Sequence, residues 1–285
     1  MPSSVAIALD WDSWWAIEQP ASPTTVPYLE VLFAWHRALT SLGVAVDFVR
    51  AQSDLSGYRV VVAPAHIVMT DEQAANLAGF AEAGGSLVVG FGSAITDEHL
   101  RIRLGGYLGE RLRATLGVWI EEFAPPASPD LRAVGGGVAP PVGLEGDPVG
   151  EDATGSVWAE VVRVDDADTL VRFSEGGLDG LPAVTRRGTG GGSGWYVATL
   201  PEPDALRRLA ARILADAEVD VPPAAANGAN VEVVHRGDVV FVINHGADDA
   251  EVLVEGTDLL TGHPSRGAVL PSQGVAIIGG TGRRG

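Results

Sequence analysis

The segment "VAIALDWDSWWAIEQP" (residues 5–20) joins an apolar run to a cluster of aromatic and acidic side chains. The run at 5–10 is short and apolar, which predicts a buried β-strand. The cluster holds three tryptophans and three acids within nine positions: Trp11, Trp14 and Trp15 with Asp10, Asp12 and Glu18. Both an active site and a docking surface are open interpretations of such a cluster, because aromatic side chains serve in each.

Predicted strands and helices alternate through the first 120 residues. Apolar runs predict strands at 44–49, 58–64 and 86–91, and apolar periodicity predicts helices at 26–43, 70–85 and 107–117. Thr70, with Gln73 three residues later, predicts a capping box at the start of one helix. Strands separated by helices of this length predict an α/β fold: a doubly wound, mostly parallel sheet covered on both faces.

The predicted helix at 26–43 is apolar on two faces. One stripe contains Leu29, Leu32, Phe33 and Leu39, and the other contains Tyr28, Val31, Trp35, Ala38 and Leu42. A helix that lies on a sheet with its back to water needs only one stripe. The second stripe therefore indicates a further covering surface, for which we expect another subunit.

The second half of the chain differs from the first in composition and in predicted secondary structure. After a strand at 118–123, residues 124–155 are rich in Pro and Gly and predict a long loop. Alternating runs within 156–200, around a flexible "GTGGGSG" (188–194), predict antiparallel hairpins, and a helix follows at 203–217. Six short apolar runs then predict a small all-β sandwich. We therefore expect two domains, 1–222 and 229–285.

Composition narrows the possible functions. The formal net charge of −18 argues against nucleic acid and membrane partners, since both need a basic face. No basic segment precedes the first apolar run and no run approaches 18 residues, which favours a cytoplasmic protein. The absence of cysteine and of lysine excludes thiolate nucleophiles, cysteine zinc sites, P-loops and Schiff bases. We expect no metal and no cofactor.

Open α/β sheets bind ligands beyond the carboxyl ends of their strands. The polar candidates there are Asp10, His66, Ser93 and Asp97. One hypothesis is a stand-alone hydrolase that uses them, although a single histidine at a strand end is more often structural. The acids after the first strand, Asp10, Asp12 and Glu18, have two open interpretations. They could form the acid and nucleophile pair of a glycosidase, or they could cap the following turn or helix.

Several stretches, in the same order, resemble the back half of the family 42 glycoside hydrolases, which are bacterial β-galactosidases. They are "ALDWDSWWAIE" (8–18), "LGVAVDFV" (42–49), "DLSGYRVVVAPA" (54–65), "FAEAGGSLVV" (80–89), "LGVWIEEF" (116–123) and the terminal "VVFVINH…DLLTG". The resemblance implies a middle domain with a fold like the class I glutamine amidotransferases (flavodoxin-like), which serves trimerisation, and a small β domain after it.

The same resemblance implies that the catalytic residues lie elsewhere. The family carries both catalytic glutamates on an N-terminal (β/α)8 barrel, for which these residues leave no room. The amidotransferase nucleophile is a cysteine after the strand that corresponds to 86–91, and here that turn reads "GFGSA". We therefore expect no catalytic residues in this chain, and a catalytic barrel as its partner in cis or in trans.

On this view the first aromatic segment is a docking surface, and the chain is the assembly portion of a β-galactosidase-like hydrolase, as a homotrimer. The expected interface residues are Trp11, Trp14, Trp15, Glu18, Tyr28 and Trp35. A carbohydrate-binding module, with tryptophans stacking on sugar rings, is a further alternative.

Overall fold

A computed structural model of the chain describes residues 3–18, 26–123, 141–221 and 231–280. Within these ranges the helices are α1 (Trp11–Ile17), α2 (Tyr28–Thr40), α3 (Asp71–Glu82), α4 (Gly109–Leu116) and α5 (Pro203–Asp216). The first twelve strands are β1 (Val5–Ala8), β2 (Val46–Val49), β3 (Val60–Ala63), β4 (Ser86–Gly90), β5 (Val118–Phe123), β6 (Val142–Gly146), β7 (Gly150–Ser156), β8 (Glu160–Val164), β9 (Asp168–Phe173), β10 (Pro182–Thr189), β11 (Gly192–Val197) and β12 (Leu200–Pro201). The last six are β13 (Val231–Arg236), β14 (Val239–Asn244), β15 (Ala250–Glu251), β16 (Thr257–Asp258), β17 (Val269–Leu270) and β18 (Val275–Gly279).

The parallel part of the main sheet follows the sequence patterns closely. Its strand order is β11-β4-β3-β1-β2, and neighbouring strands in it run parallel. Every residue of β1, β3 and β4 is buried. Since successive side chains point to opposite faces, both faces of these strands are covered. Helix α3 packs against α4, and α2 packs against α5; the predicted capping box of Thr70 and Gln73 is present.

The main sheet as a whole is mixed, which corrects the expectation of a mostly parallel sheet. Ten strands follow the order β12-β7-β6-β9-β10-β11-β4-β3-β1-β2, and every pairing from β12 to β11 is antiparallel. Strand β11 therefore links the two halves, because it pairs with β10 as a hairpin and with β4 in parallel.

Glycines allow β11 to approach the start of β4, α3 and α4, and residues 188–194, predicted to be a flexible segment, form the turn and strand ends of the β10–β11 hairpin. A Cβ atom at Gly192 would lie 2.2 Å from the carbonyl oxygen of Gly85 and 2.5 Å from that of Ala81. One at Gly194 would lie 2.7 Å from the carbonyl oxygen of Thr115. Only a residue without a side chain fits at either position.

The prediction of a long loop at 124–155 is wrong for residues 142–155. Strands β6 and β7 form an antiparallel hairpin there, whereas 124–140 lie outside the described residues. Gly143 and Gly155 interrupt the apolar pattern that would otherwise predict these strands. At each position a Cβ atom would come within 2.6 Å of a neighbouring side chain, which explains why glycine is present. Strand β8 pairs with β5 rather than with the next predicted hairpin strand.

The terminal residues form a second apolar core. All six predicted strands are present, although β15, β16 and β17 are two residues long. They form a four-stranded sheet in the order β13-β14-β18-β16 and a two-stranded sheet of β15 and β17. Their buried side chains, such as Val233, Val242 and Ile278, cluster apart from the main core. The boundary expected at 222–229 falls in residues that are not described.

The second apolar stripe of α2 is covered by this chain itself. Tyr28 and Trp35 are buried in the main core, and α2 packs against α5 and reaches β13. His36, on the same helix, stacks on Phe48 of β2 with ring centroids 5.6 Å apart. The expectation that another subunit covers this stripe is therefore wrong, because the chain itself buries Tyr28, Val31, Trp35 and Ala38.

Candidate functional site

The segment after β1 is a short helix that Asp10 caps. The backbone N–H of Ser13 donates to Asp10 Oδ2 over 2.7 Å, so the carboxylate satisfies a free donor of the first turn of α1. The backbone N–H of Asp10 donates to the hydroxyl of Tyr28 over 2.9 Å. Burial raises the pKa of Tyr28, which keeps that hydroxyl neutral. The geometry therefore supports Asp10 as a helix cap rather than as a member of a glycosidase pair.

The six expected interface residues divide into two groups. Trp11 and Trp15 on α1 are 50% and 62% exposed, and Glu18 is also exposed. Trp14 is half-buried, with its ring 5.2 Å from that of Trp11. Tyr28 and Trp35 are buried, so their side chains have no surface to offer a partner, and we remove them from the candidate interface.

A second exposed apolar element follows the turn after β4, and the sequence analysis did not predict it. Residues 96–104 form a hairpin, in which Thr96 pairs with Ile102 and the N–H of Asp97 donates to the carbonyl of Arg101 over 3.0 Å. The side chains of Leu100, Ile102 and Leu104 are 60%, 62% and 97% exposed. The alternation in "LRIRL" (100–104) was the available signal, but such a pattern normally predicts an inward apolar face.

The segment after β3 connects these two elements. The hydroxyl of Ser13 accepts from the N–H of Val68 over 3.1 Å and lies 3.2 Å from the carbonyl oxygen of the same residue. Val68 in turn pairs with Thr96 of the hairpin. We call the exposed apolar side chains of the two elements, Trp11, Trp15, Leu100, Ile102 and Leu104, the α1–hairpin surface. It lies at the carboxyl ends of the parallel strands.

The four cleft candidates do not form a catalytic constellation. Ser93 is buried, and its hydroxyl donates to the carbonyl of Gly90 over 2.7 Å while it accepts from the backbone N–H of His66. The His66 ring is fully buried, 3.9 Å from Asp10 Oδ2, and burial lowers its pKa. Asp97 is bound to the backbone N–H groups of its own hairpin turn, which lowers its pKa. A nucleophilic serine needs a hydrogen bond to its general base, and the His66 ring makes no hydrogen bond to Ser93.

A buried glutamate, Glu160, lies under the turn after β4. The N–H of Gly92 and the Nε1–H of Trp158 both donate to its Oε1 over 2.9 Å, and the hydroxyl of Tyr196 bonds to its Oε2. Burial raises the pKa of Glu160 to about 7, against the opposing effect of these three hydrogen bonds. A single acid in the apolar run "VWAEVV" (157–162) was the only sequence signal for it.

The described ranges offer neither a metal site nor a membrane span. No group of three or more histidine, aspartate or glutamate side chains in those ranges is placed to hold a metal ion. No helix in the described part of the chain is long and apolar enough to cross a membrane.

Comparison with known proteins points to one family. A family model described as "Beta-galactosidase trimerisation domain" matches residues 3–220. A beta-galactosidase of an Arthrobacter species is 38% identical over 283 residues, and the match covers 97% of this chain and 38% of that protein. Beta-galactosidase BgaB of a Geobacillus strain is 35% identical over 286 residues, which cover 96% of this chain and 40% of that protein.

Solved structures give the same result. The beta-galactosidase from Bacillus circulans sp. alkalophilus matches with a TM-score of 0.83 at 28% identity, covering 97% of this chain and 41% of that one. The beta-galactosidase from the haloarchaeon Halorubrum lacusprofundi matches with a TM-score of 0.82 at 27% identity, covering 99% and 40%. The chain thus spans about two fifths of the length of the relatives it matches.

Proposed function

Because this chain belongs to the beta-galactosidase trimerisation domain family of the family 42 glycoside hydrolases, we propose that it is an assembly module that forms a homotrimer. In this proposal the α1–hairpin surface binds a second copy of the chain. The observation that carries it is the presence of exposed apolar side chains on two elements that are both bound to Val68, in the segment after β3. Exposed apolar patches of this kind mark interaction sites, and tryptophans are enriched in them.

The symmetry of a trimer determines what the surface meets. A cyclic trimer is built from heterologous contacts, in which one patch binds a different patch on the next subunit. We therefore expect the α1–hairpin surface to contact another part of the neighbouring copy rather than itself. Trp11, Trp14, Trp15 and Glu18 remain interface candidates, and Leu100, Ile102 and Leu104 join them.

The catalytic partner belongs to the same proposal. The relatives are beta-galactosidases much longer than this chain, and we propose that a (β/α)8 barrel, in cis or in trans, supplies the reaction. Burial and backbone hydrogen bonds of the strand-end candidates support a reaction outside these residues. A cytoplasmic location is also proposed, and a chain without cysteine is compatible with a reducing compartment.

We further propose a fold relationship to the class I glutamine amidotransferases. The parallel strand order and the sharp turn after β4 support it; in that turn Gly92 and Ala94 have φ values of 66° and 51°. The turn carries Gly92 and Ser93, with no cysteine, and the N–H of Gly92 is bound to Glu160. We therefore propose no amidotransferase reaction for it.

Light scattering behind size exclusion tests the proposal directly. We expect a particle of three times the 29.5 kDa mass of one chain. A monomer across the accessible concentration range would show that this chain alone does not assemble.

A further inference from the structure

The second arm of the hairpin, residues 100–104, is inverted relative to an ordinary surface strand. In "LRIRL" the apolar side chains of Leu100, Ile102 and Leu104 are exposed, whereas the side chain of Arg103 is only 18% exposed. A strand at a protein surface normally turns its apolar side chains inward and its charged side chains to water. The hairpin therefore needs a contact that holds it in this orientation.

Arg103 supplies that contact through both ends of its guanidinium group. Its Nη2 donates to the carbonyl oxygen of Met69 over 2.5 Å, and its Nη1 donates to Oδ1 of Asp71 over 2.8 Å. Met69 is fully buried, and Asp71 is the first residue of α3. The guanidinium group thus fastens the second arm both to the segment after β3 and to the N-terminus of α3. We call this arrangement the seated hairpin.

Met69 is bound to both arms of the hairpin. Its backbone N–H donates to the carbonyl of Thr96, in the first arm, over 3.1 Å. Its carbonyl accepts from Arg103, in the second arm. Because Met69 is completely buried, water does not reach this oxygen, and a buried acceptor without a donor is costly. The bond from Arg103 therefore stabilises the seated hairpin.

The second arm has few other attachments to the body of the chain. Among residues 98–105, all of which the structure describes, Arg103 is the only one that is not exposed. Its backbone N–H donates to the carbonyl of Ile95 over 2.9 Å, which joins the two arms to each other. Just beyond the arm, Arg113 donates to the carbonyl of Gly105 over 2.9 Å. A segment with so little buried apolar surface opens at a low free energy, so its seating depends on Arg103.

We propose that Arg103 is the positioning residue of the α1–hairpin surface: it seats the second arm with Leu100, Ile102 and Leu104 outward, so that the surface is formed before a second copy binds. A preformed surface needs no ordering on association, and the binding-competent fraction of single chains is then close to one. The link to self-association rests on the proposed function. The seating of the hairpin does not, because it is a property of one chain.

Arg103→Gln tests the seating, with Arg101→Gln as the matched control, since Arg101 lies in the same arm and is exposed. The readout is the hydrogen exchange of the Asp97 and Leu100 amides, which are bonded within the hairpin. In samples diluted below the midpoint of association, this exchange should be roughly 10- to 100-fold faster in Arg103→Gln than in wild type. Arg101→Gln should exchange like wild type, and equal exchange in the two variants would overturn the positioning role.

The same variants test the consequence for assembly by light scattering over a dilution series. A variant that seats the hairpin in half of its chains lowers the trimer formation constant about eightfold and raises the dilution midpoint about threefold, because three competent chains must combine. We expect at least this shift for Arg103→Gln and none for Arg101→Gln. A lower free energy of unfolding with an unchanged midpoint would show that Arg103 serves only the stability of the chain, which would overturn its role in assembly.

Arg103→Lys gives a second measurement that does not need the glutamine variant to fold. One ammonium group keeps the charge but does not span two acceptors as the planar guanidinium group does. Exchange and midpoint should therefore both lie between those of wild type and Arg103→Gln, and wild-type values for both would contradict the two-point contact. A wild-type chain that is monomeric at every concentration rejects the proposed trimer and the role in assembly, while the exchange of Asp97 and Leu100 still decides the seating.

Discussion

Replacement of Leu104 by aspartate should dissociate the proposed trimer while it leaves the fold of each chain unchanged. The side chain is 97% exposed, so it contributes almost nothing to the core of one subunit. Surface substitutions of this kind usually change the free energy of unfolding by less than about 0.5 kcal/mol. Within the proposed interface, however, the same side chain is buried by the neighbouring copy.

The size of the effect follows from that burial. Burying a leucine side chain contributes about 1.5–3 kcal/mol, and aspartate adds the cost of desolvating a charge. A loss of about 2 kcal/mol at each of the three contacts in a cyclic trimer lowers its formation constant by roughly 10⁴-fold. Because three chains combine, the concentration at which half of them are trimeric should rise by roughly 100-fold.

The assay is light scattering over a dilution series, with unfolding followed by circular dichroism on the same samples. Leu260→Asp is the matched control, since Leu260 is 62% exposed but lies in the terminal sheet region. We expect it to leave the dilution midpoint unchanged. An unchanged midpoint for Leu104→Asp, or an equal shift for Leu260→Asp, would refute the assignment of the hairpin to the interface.

Three further outcomes test the fold and the alternative function. Gly192→Ala should destabilise the chain by more than about 2 kcal/mol in denaturant unfolding, because the added Cβ atom would meet backbone oxygens. Gly188→Ala is the control and should be close to neutral, because its Cβ atom would have nothing within 4 Å. Similar free energies of unfolding for the two variants would contradict the close approach of β11. Thr70→Ala should cost about 1 kcal/mol by the same measurement, since it removes the capping box of α3, and Thr261→Ala serves as an exposed control. Titration with galactose should leave tryptophan fluorescence unchanged if Trp11 and Trp15 serve assembly; saturable quenching would favour the carbohydrate-binding alternative.

The local patterns of the chain predict its parallel half well. The apolar runs of β1, β3 and β4, the Thr70–Gln73 capping box and the six terminal strands are present as expected. Each depends on residues within one element, so the sequence of that element carries the information. The resemblance to family 42 likewise rests on short stretches in order, and the family comparison confirms it.

The candidate site was only partly predictable. The sequence drew attention to α1 through its tryptophans, and two of them, Trp11 and Trp15, are exposed. It placed Tyr28 and Trp35 in the same interface, because composition does not show which face of a helix another element covers. The apolar hairpin was missed for a related reason: an alternating pattern defines two faces but not which of them meets water.

By itself, then, the sequence determined the buried strands, the helices α2 to α5 to within a few residues, and the family, since all of these are encoded over a few neighbouring residues; it left α1 open as a turn or a helix. Only the tertiary structure decided that β11 joins β4, that α5 covers α2, and that Gly92, Trp158 and Tyr196 converge on one buried carboxyl group. These contacts join residues far apart in the chain. Their free energy depends on which surfaces meet on folding, and no pattern within a single segment records that.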